Sequence, residues 1–172
     1  MAVTDEVLRN NQQYASSFDK GDLGIGPAKK LAVVACMDAR MQVSKMLGLK
    51  EGDAHIIRNA GGAITDDAIR SLVISQRLTG TEEIILIHHT NCGMTLFKDE
   101  ELKSQIEKET GIRPEFAMET FPDLEEDVRQ SIRRIKASPF IPKKDKIRGF
   151  VYDVKTGRLN EVSERVPAGA RA

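Results

Sequence analysis

At 172 residues the chain suits one globular domain, long enough to bury a core without disulfides or other staples. Twenty-six lysines and arginines balance twenty-six aspartates and glutamates, so the charge excludes a nucleic-acid or anionic-membrane partner and favours a small, weakly charged ligand. No apolar run is long enough to span a bilayer, and "MAVTDEVLRNNQQ" is too polar and acidic for a signal peptide. The expected location is therefore the cytoplasm, where the two cysteines read as metal-binding, catalytic or buried thiols rather than a disulfide.

Residues 3–18 are expected to form a helix whose apolar positions Val7, Leu8, Tyr14, Ala15 and Phe18 make only a thin stripe. Such a helix needs something else to lie on. "KGDLGIGPAKK" reads as a linker; it is no phosphate loop, because "GPAKKL" leads into a strand instead of opening a helix. "KLAVVACM", "AHIIRN" and "EEIILIHH" are short continuous apolar runs, expected as strands buried on both faces. Between the second and third lies "TDDAIRSLVISQRLTG", with Thr65 as N-cap, Asp66 and Asp67 at the positive end of the dipole, and Gly80 as the stop. "PDLEEDVRQSIRRIKASPF" carries acids in its first turns and Arg133, Arg134 and Lys136 in its last; this asymmetry reads as a solvated helix face. "IRGFVYDVKTGRLNEV" gives strand, Thr-Gly turn and strand, a C-terminal hairpin.

The alternation predicts one α/β domain over residues 1–172, with a helical arm at 1–20 and a core at 30–163. Its mainly parallel sheet has about four strands flanked by helices, plus a C-terminal antiparallel hairpin strand. Ligands collect at the carboxyl ends of such sheets, and "CMDAR" and "HHTNCG" both lie there.

Cys36, Cys92 and one of His88 or His89 make a soft donor set that suits zinc and leaves a fourth position open. An open position is catalytic, because water held there is acidified from a pKa of about 15.7 toward about 7. Two thiolates weaken that effect, and Asp38 with Arg40 lies close enough in sequence to compensate: the aspartate accepts the hydrogen of the attacking oxygen, and the arginine orients the aspartate and keeps it ionised. Taken singly, each cysteine reads as a buried apolar thiol, and His55 as a satisfied strand histidine outside the site.

"CMDAR", "RNAGG" and "HTNCGM", in this order and spacing, resemble the β-class carbonic anhydrases over about residues 1–163. The resemblance implies zinc on Cys36, His89 and Cys92, a catalytic pair of Asp38 and Arg40, and Asn59, Gly61, Gly62 and Gly93 about the substrate pocket. It implies that Asp38 joins the metal only in a closed state, and that His88 turns to the opposite face of the strand. It further implies a homodimer or homotetramer in which the N-terminal helix lies across a partner. "HHT" departs from the Gly-His-Thr of most members and resembles a sub-branch that also contains carbonyl sulfide hydrolases.

The expected activity is hydration of carbon dioxide to bicarbonate, with hydrolysis of carbonyl sulfide at the same site as the alternative. A closed structural zinc module, with Asp38 as permanent fourth ligand, is a competing class. A redox thiol protein fits poorly without a Cys-x-x-Cys pair. Met94, Leu96 and Phe97 read as residues capping the core rather than as a sulfur pocket.

Overall fold

The computed structural model describes residues 2–164. Its elements in chain order are α1 (Val3–Ser16), β1 (Leu31–Cys36), α2 (Val43–Met46), β2 (Ala54–Asn59), α3 (Asp66–Thr79), β3 (Glu83–His89), α4 (Asp99–Thr110), α5 (Leu124–Ala137), β4 (Ile147–Tyr152) and β5 (Leu159–Glu161). The strands form one sheet in the order β2-β1-β3-β4-β5. The first four run parallel, and β5 returns antiparallel on β4.

Burial explains the two apolar central strands. Side chains alternate across β1, so Ala32 and Val34 join Leu72 of α3 and Val128, Ile132 and Ile135 of α5 on one face. Val33 and Ala35 join Met41, Val43, Met94 and Phe121 on the other. With helices or loops over both faces, β1 and β3 need the unbroken apolar runs that announce them. β2 departs from the expectation of burial on both faces. It pairs only with β1 among the described residues, and as an edge strand it leaves Ile56 and Arg58 exposed.

The helix ends follow from capping. Thr65 accepts the Ala68 N–H at the start of α3, and Gly80 ends that helix in the left-handed region. Asp123 accepts the Glu126 N–H at the start of α5. α5 is not solvated all round: Val128, Ile132 and Ile135 bury one face while the charged side chains occupy the other. α4 has no buried residue and no apolar stripe, which is why periodicity missed it. Asp99 at its start accepts hydrogen bonds from the Met118 and Thr120 amides and the Thr120 hydroxyl, fixing the returning loop that delivers Phe121.

α1 lies off the core. All of its residues are exposed, and among the described residues its side-chain tie to the body is the Tyr14 hydroxyl donating to Glu51.

Candidate metal centre

The site forms where β1 and β3 end side by side. Cys36 is the last residue of β1, and the chain then turns away with the Met37 amide donating to the Asn59 carbonyl at 2.8 Å. Arg58, from the neighbouring β2, donates to the Cys36 carbonyl at 2.9 and 3.0 Å and to the Asp38 carbonyl at 2.7 Å. This side chain therefore clamps the turn that presents both Cys36 and Asp38. Sequence reading quoted Arg58 within "RNAGG" without giving it a role; a cation one strand over from a polar turn is the signal that could have found it.

A 3₁₀ turn, Ala60–Gly62, packs against the same ends. Gly62 has φ +72°, and a Cβ there would come within 2.9 Å of the Cys36 amide nitrogen and 3.0 Å of the Ala35 carbonyl carbon. Its bare α-carbon thus allows a close approach to β1. Asn59 turns inward and donates to the Ala63 carbonyl at 2.8 Å, closing this turn. Gly93, by contrast, faces open space.

His88 and His89 end β3 on opposite faces, and both are fully buried. His89 Nδ1 donates to the Thr90 carbonyl at 3.0 Å, which leaves Nε2 as the free lone pair. That Nε2 has no hydrogen-bond partner within ordinary geometry. It faces Cys36 and Cys92, the three ligand atoms lying within 4.8 Å of one another. His88 instead sets Nε2 at 2.6 Å from Asp127 Oδ2 of α5, a partner that sequence reading did not supply.

Asp38 stands in a fork. Its Oδ1 accepts from the Arg40 amide and Nε, both at 2.9 Å, and its Oδ2 accepts from Nη2 at 2.7 Å. Arg40 also donates to the Asn91 carbonyl at 3.0 Å, so the pair spans both cysteine loops. Asp38 Oδ2 remains 3.6 Å from His89 Nε2. Of the other candidates, Met94 is buried, Phe97 is half-buried, and Leu96 is exposed and caps nothing.

The electrostatics favour a cation. A hydrogen bond from Cys92 is the largest of the influences that pull the Cys36 thiol down to about 4, and contact with His89 and the Asp38 and Gly61 amides adds to it. As the donor in that pair, Cys92 is raised above the ordinary thiol value. The two sulfurs thus share a proton that a metal would displace. Burial opposes charge on His89, yet the facing Cys36 sulfur, the Thr90 carbonyl and Asp38 outweigh it and raise its pKa. The Arg40 side chain holds the Asp38 carboxyl far below the ordinary carboxylate range. An orphaned imidazole nitrogen between two thiols, with a carboxylate beside them, fits zinc.

Three protein donors are the ligand count of a catalytic rather than a closed structural zinc site, which makes this a catalytic zinc protein in class. The carbonic anhydrase family model matches residues 31–159. Over 163 residues the chain is 61% identical to β-carbonic anhydrase 1 of Mycobacterium tuberculosis, covering 95% of this chain and 99% of that one. It is 34% identical over 183 residues to a carbon disulfide hydrolase of Acidithiobacillus thiooxidans, covering 90% and 92%. The crystal structure of a Streptococcus mutans carbonic anhydrase matches the fold with a TM-score of 0.89 at 43% identity, covering 95% of this chain and 99% of that one. The chain belongs to the β-carbonic anhydrase family.

Proposed function

We propose that the protein hydrates carbon dioxide reversibly, CO2 + H2O giving HCO3− + H+, with zinc held by Cys36, His89 and Cys92 and with Asp38 and Arg40 as the catalytic pair. The observation that carries this reading is the unpartnered Nε2 of His89 facing two thiols beside a forked Asp38. When bound, zinc supplies a Lewis acid that lowers the pKa of water at the open position. Asp38 accepts the hydrogen of the attacking oxygen and so aims its lone pair at the carbon. Arg40 restricts the carboxylate to one orientation and keeps it ionised, so Asp38 acts as an acceptor throughout the working pH range. Gly93 leaves the approach open, while Asn59, Gly61 and Gly62 shape the wall behind it.

Carbonyl sulfide is the alternative substrate, and the similarity to a carbon disulfide hydrolase favours keeping it in view. The test is kcat/KM for carbon dioxide, carbonyl sulfide and carbon disulfide on one zinc-loaded preparation, because that ratio reports differential transition-state binding. Carbon dioxide is expected to lead by at least about tenfold, since the chain is 61% identical to a β-carbonic anhydrase and 34% identical to a carbon disulfide hydrolase. A lead for either sulfur compound reverses the assignment.

The exposed α1 carries Val3, Val7 and Leu8, each more than half exposed. We read it as an arm that lies across a second copy, making the protein at least a homodimer. Sedimentation equilibrium is expected to give a multiple of the chain mass for the full protein and a smaller species after deletion of residues 2–20. An unchanged assembly after deletion removes the arm from the interface. Among the described residues, no helix is long and apolar enough to cross a membrane.

A further inference from the structure

The fork that holds Asp38 stands at the surface. The Arg40 side chain is 47% exposed, so burial does not fix it and water competes for its hydrogens. A long side chain so placed keeps one geometry only where further contacts hold it. Its Nη2 carries two hydrogens: one goes to Asp38 Oδ2 at 2.7 Å, the other to the Asn91 carbonyl at 3.0 Å. Among the described residues, that carbonyl is the acceptor the guanidinium finds outside its own loop.

The backbone of Asn91 is shaped to present it. Its φ is +55°, in the left-handed region, which asparagine tolerates better than other residues with a Cβ. In an extended chain successive carbonyls point to opposite sides, whereas a residue in a helical region of either hand brings them together. Here the Thr90 carbonyl accepts from His89 Nδ1 at 3.0 Å, and the next carbonyl, that of Asn91, accepts from Arg40. Two consecutive carbonyls thus serve one site. The turn is anchored from behind, with the Thr90 amide donating to the Tyr152 carbonyl at 2.9 Å and the Val154 amide donating to Thr90 Oγ1 at 3.1 Å. None of these contacts uses the Asn91 side chain, which is exposed. What the position requires of its residue is the backbone conformation.

We propose that Asn91 is a positioning residue whose left-handed backbone aims its carbonyl at Arg40 Nη2 and so locks the fork on Asp38. The proposal rests on Asp38 and Arg40 as the catalytic pair. Asn91 touches neither the substrate nor the reacting atoms; it acts through Arg40. A β-branched residue there cannot hold a positive φ without strain, so the turn relaxes and the carbonyl leaves the guanidinium. Arg40 then turns to water, and Asp38 Oδ2 loses its fixed partner.

The test uses the full chain loaded with zinc. Asn91→Val is expected to keep one zinc per chain and to lower kcat/KM by about 10–100-fold, the cost of displacing a catalytic group by about 1 Å. Asn91→Gly adopts the left-handed region without a Cβ and is expected to recover most of that rate. Asn91→Val added to Arg40→Ala is expected to cost no further rate, because its route to the reaction is already gone. Protection of the Arg40 Nε–H from solvent exchange, read by NMR on the metal-free chain, should fall in Asn91→Val and return in Asn91→Gly. If Asn91→Val does not fold, Asn91→Ala in the same cycle gives the reading. Full rate or unchanged Nε–H protection in the Asn91 variant, loss of its zinc, or an equal loss of rate in the Arg40→Ala background overturns the proposal. Full rate in Arg40→Ala alone overturns the catalytic pair instead.

Discussion

Serine in place of Cys36 or Cys92 is expected to leave the chain without zinc and slower in carbon dioxide hydration by at least about a thousandfold. That figure is the several kcal/mol a Lewis acid contributes, at about 1.4 kcal/mol per decade of rate. The hydroxyl replaces a donor that is buried and already drawn toward its anionic form: Cys36 has its thiol pulled down to about 4, first by the hydrogen bond from Cys92. A serine there stays protonated and cannot neutralise the cation. His89→Ala is expected to lose most of the metal, since it deletes the orphaned Nε2, whereas His88→Ala should retain one ion per chain because its ring points to Asp127.

Metal analysis after gel filtration measures each case. Zinc lost with His88 but kept without His89 contradicts the assignment. The Cys92 thiol, raised as the donor of the pair, must release its proton to become a ligand, so zinc affinity should rise with pH and fall as the solution is acidified.

The parts of the molecule legible in the sequence are those with a local signature. β1 and β3 show as apolar runs because both faces are covered, and Thr65 and Gly80 mark the ends of α3 because capping is a short-range interaction. The motif residues Cys36, His89 and Cys92 converge because parallel strands bring their carboxyl ends together. What was not legible is long-range in sequence. Arg58 acts on Cys36 across 22 residues, and Asp127 meets His88 across 39. No periodicity announces either contact, because each depends on strand order and on which helix covers which face. α4 was missed for the opposite reason: with all of it exposed or half-buried, no burial pattern existed to read. Gly62 was legible as part of "RNAGG", but its packing role, a Cβ there coming within 2.9 Å of the Cys36 nitrogen, depends on how that turn meets β1.

Arg40→Ala is expected to lower kcat/KM at neutral pH by about 10²–10⁴-fold, the range a positioned proton acceptor contributes. The loss has two sources. Without the guanidinium, Asp38 loses the side-chain contacts at 2.9 and 2.7 Å and keeps the backbone amide of residue 40 on Oδ1, so Oδ2 is released and the attacking oxygen loses its orientation. Asp38 Oδ2 also stands only 3.6 Å from His89 Nε2, close enough for a released carboxylate to take the open position itself. Two thiolates and a carboxylate would leave the site net negative, which disfavours acidification of water. Rising pH supplies hydroxide that competes with the carboxylate, so the variant should recover part of its rate on the alkaline side. The sign at low pH follows from Asp38 as well. Arg40 lowers its pKa in the folded protein, so the pair's stabilisation is present above the ordinary carboxylate range and is lost as pH falls through the depressed value. Removing Arg40 lets the carboxyl take up protons at higher pH and shifts acid inactivation upward. Arg40→Lys keeps the charge without the fork and should fall between parent and alanine. Full rate at neutral pH in Arg40→Ala, with an unchanged pH profile, would remove the fork from the mechanism and return Asp38 to a purely structural role at the turn.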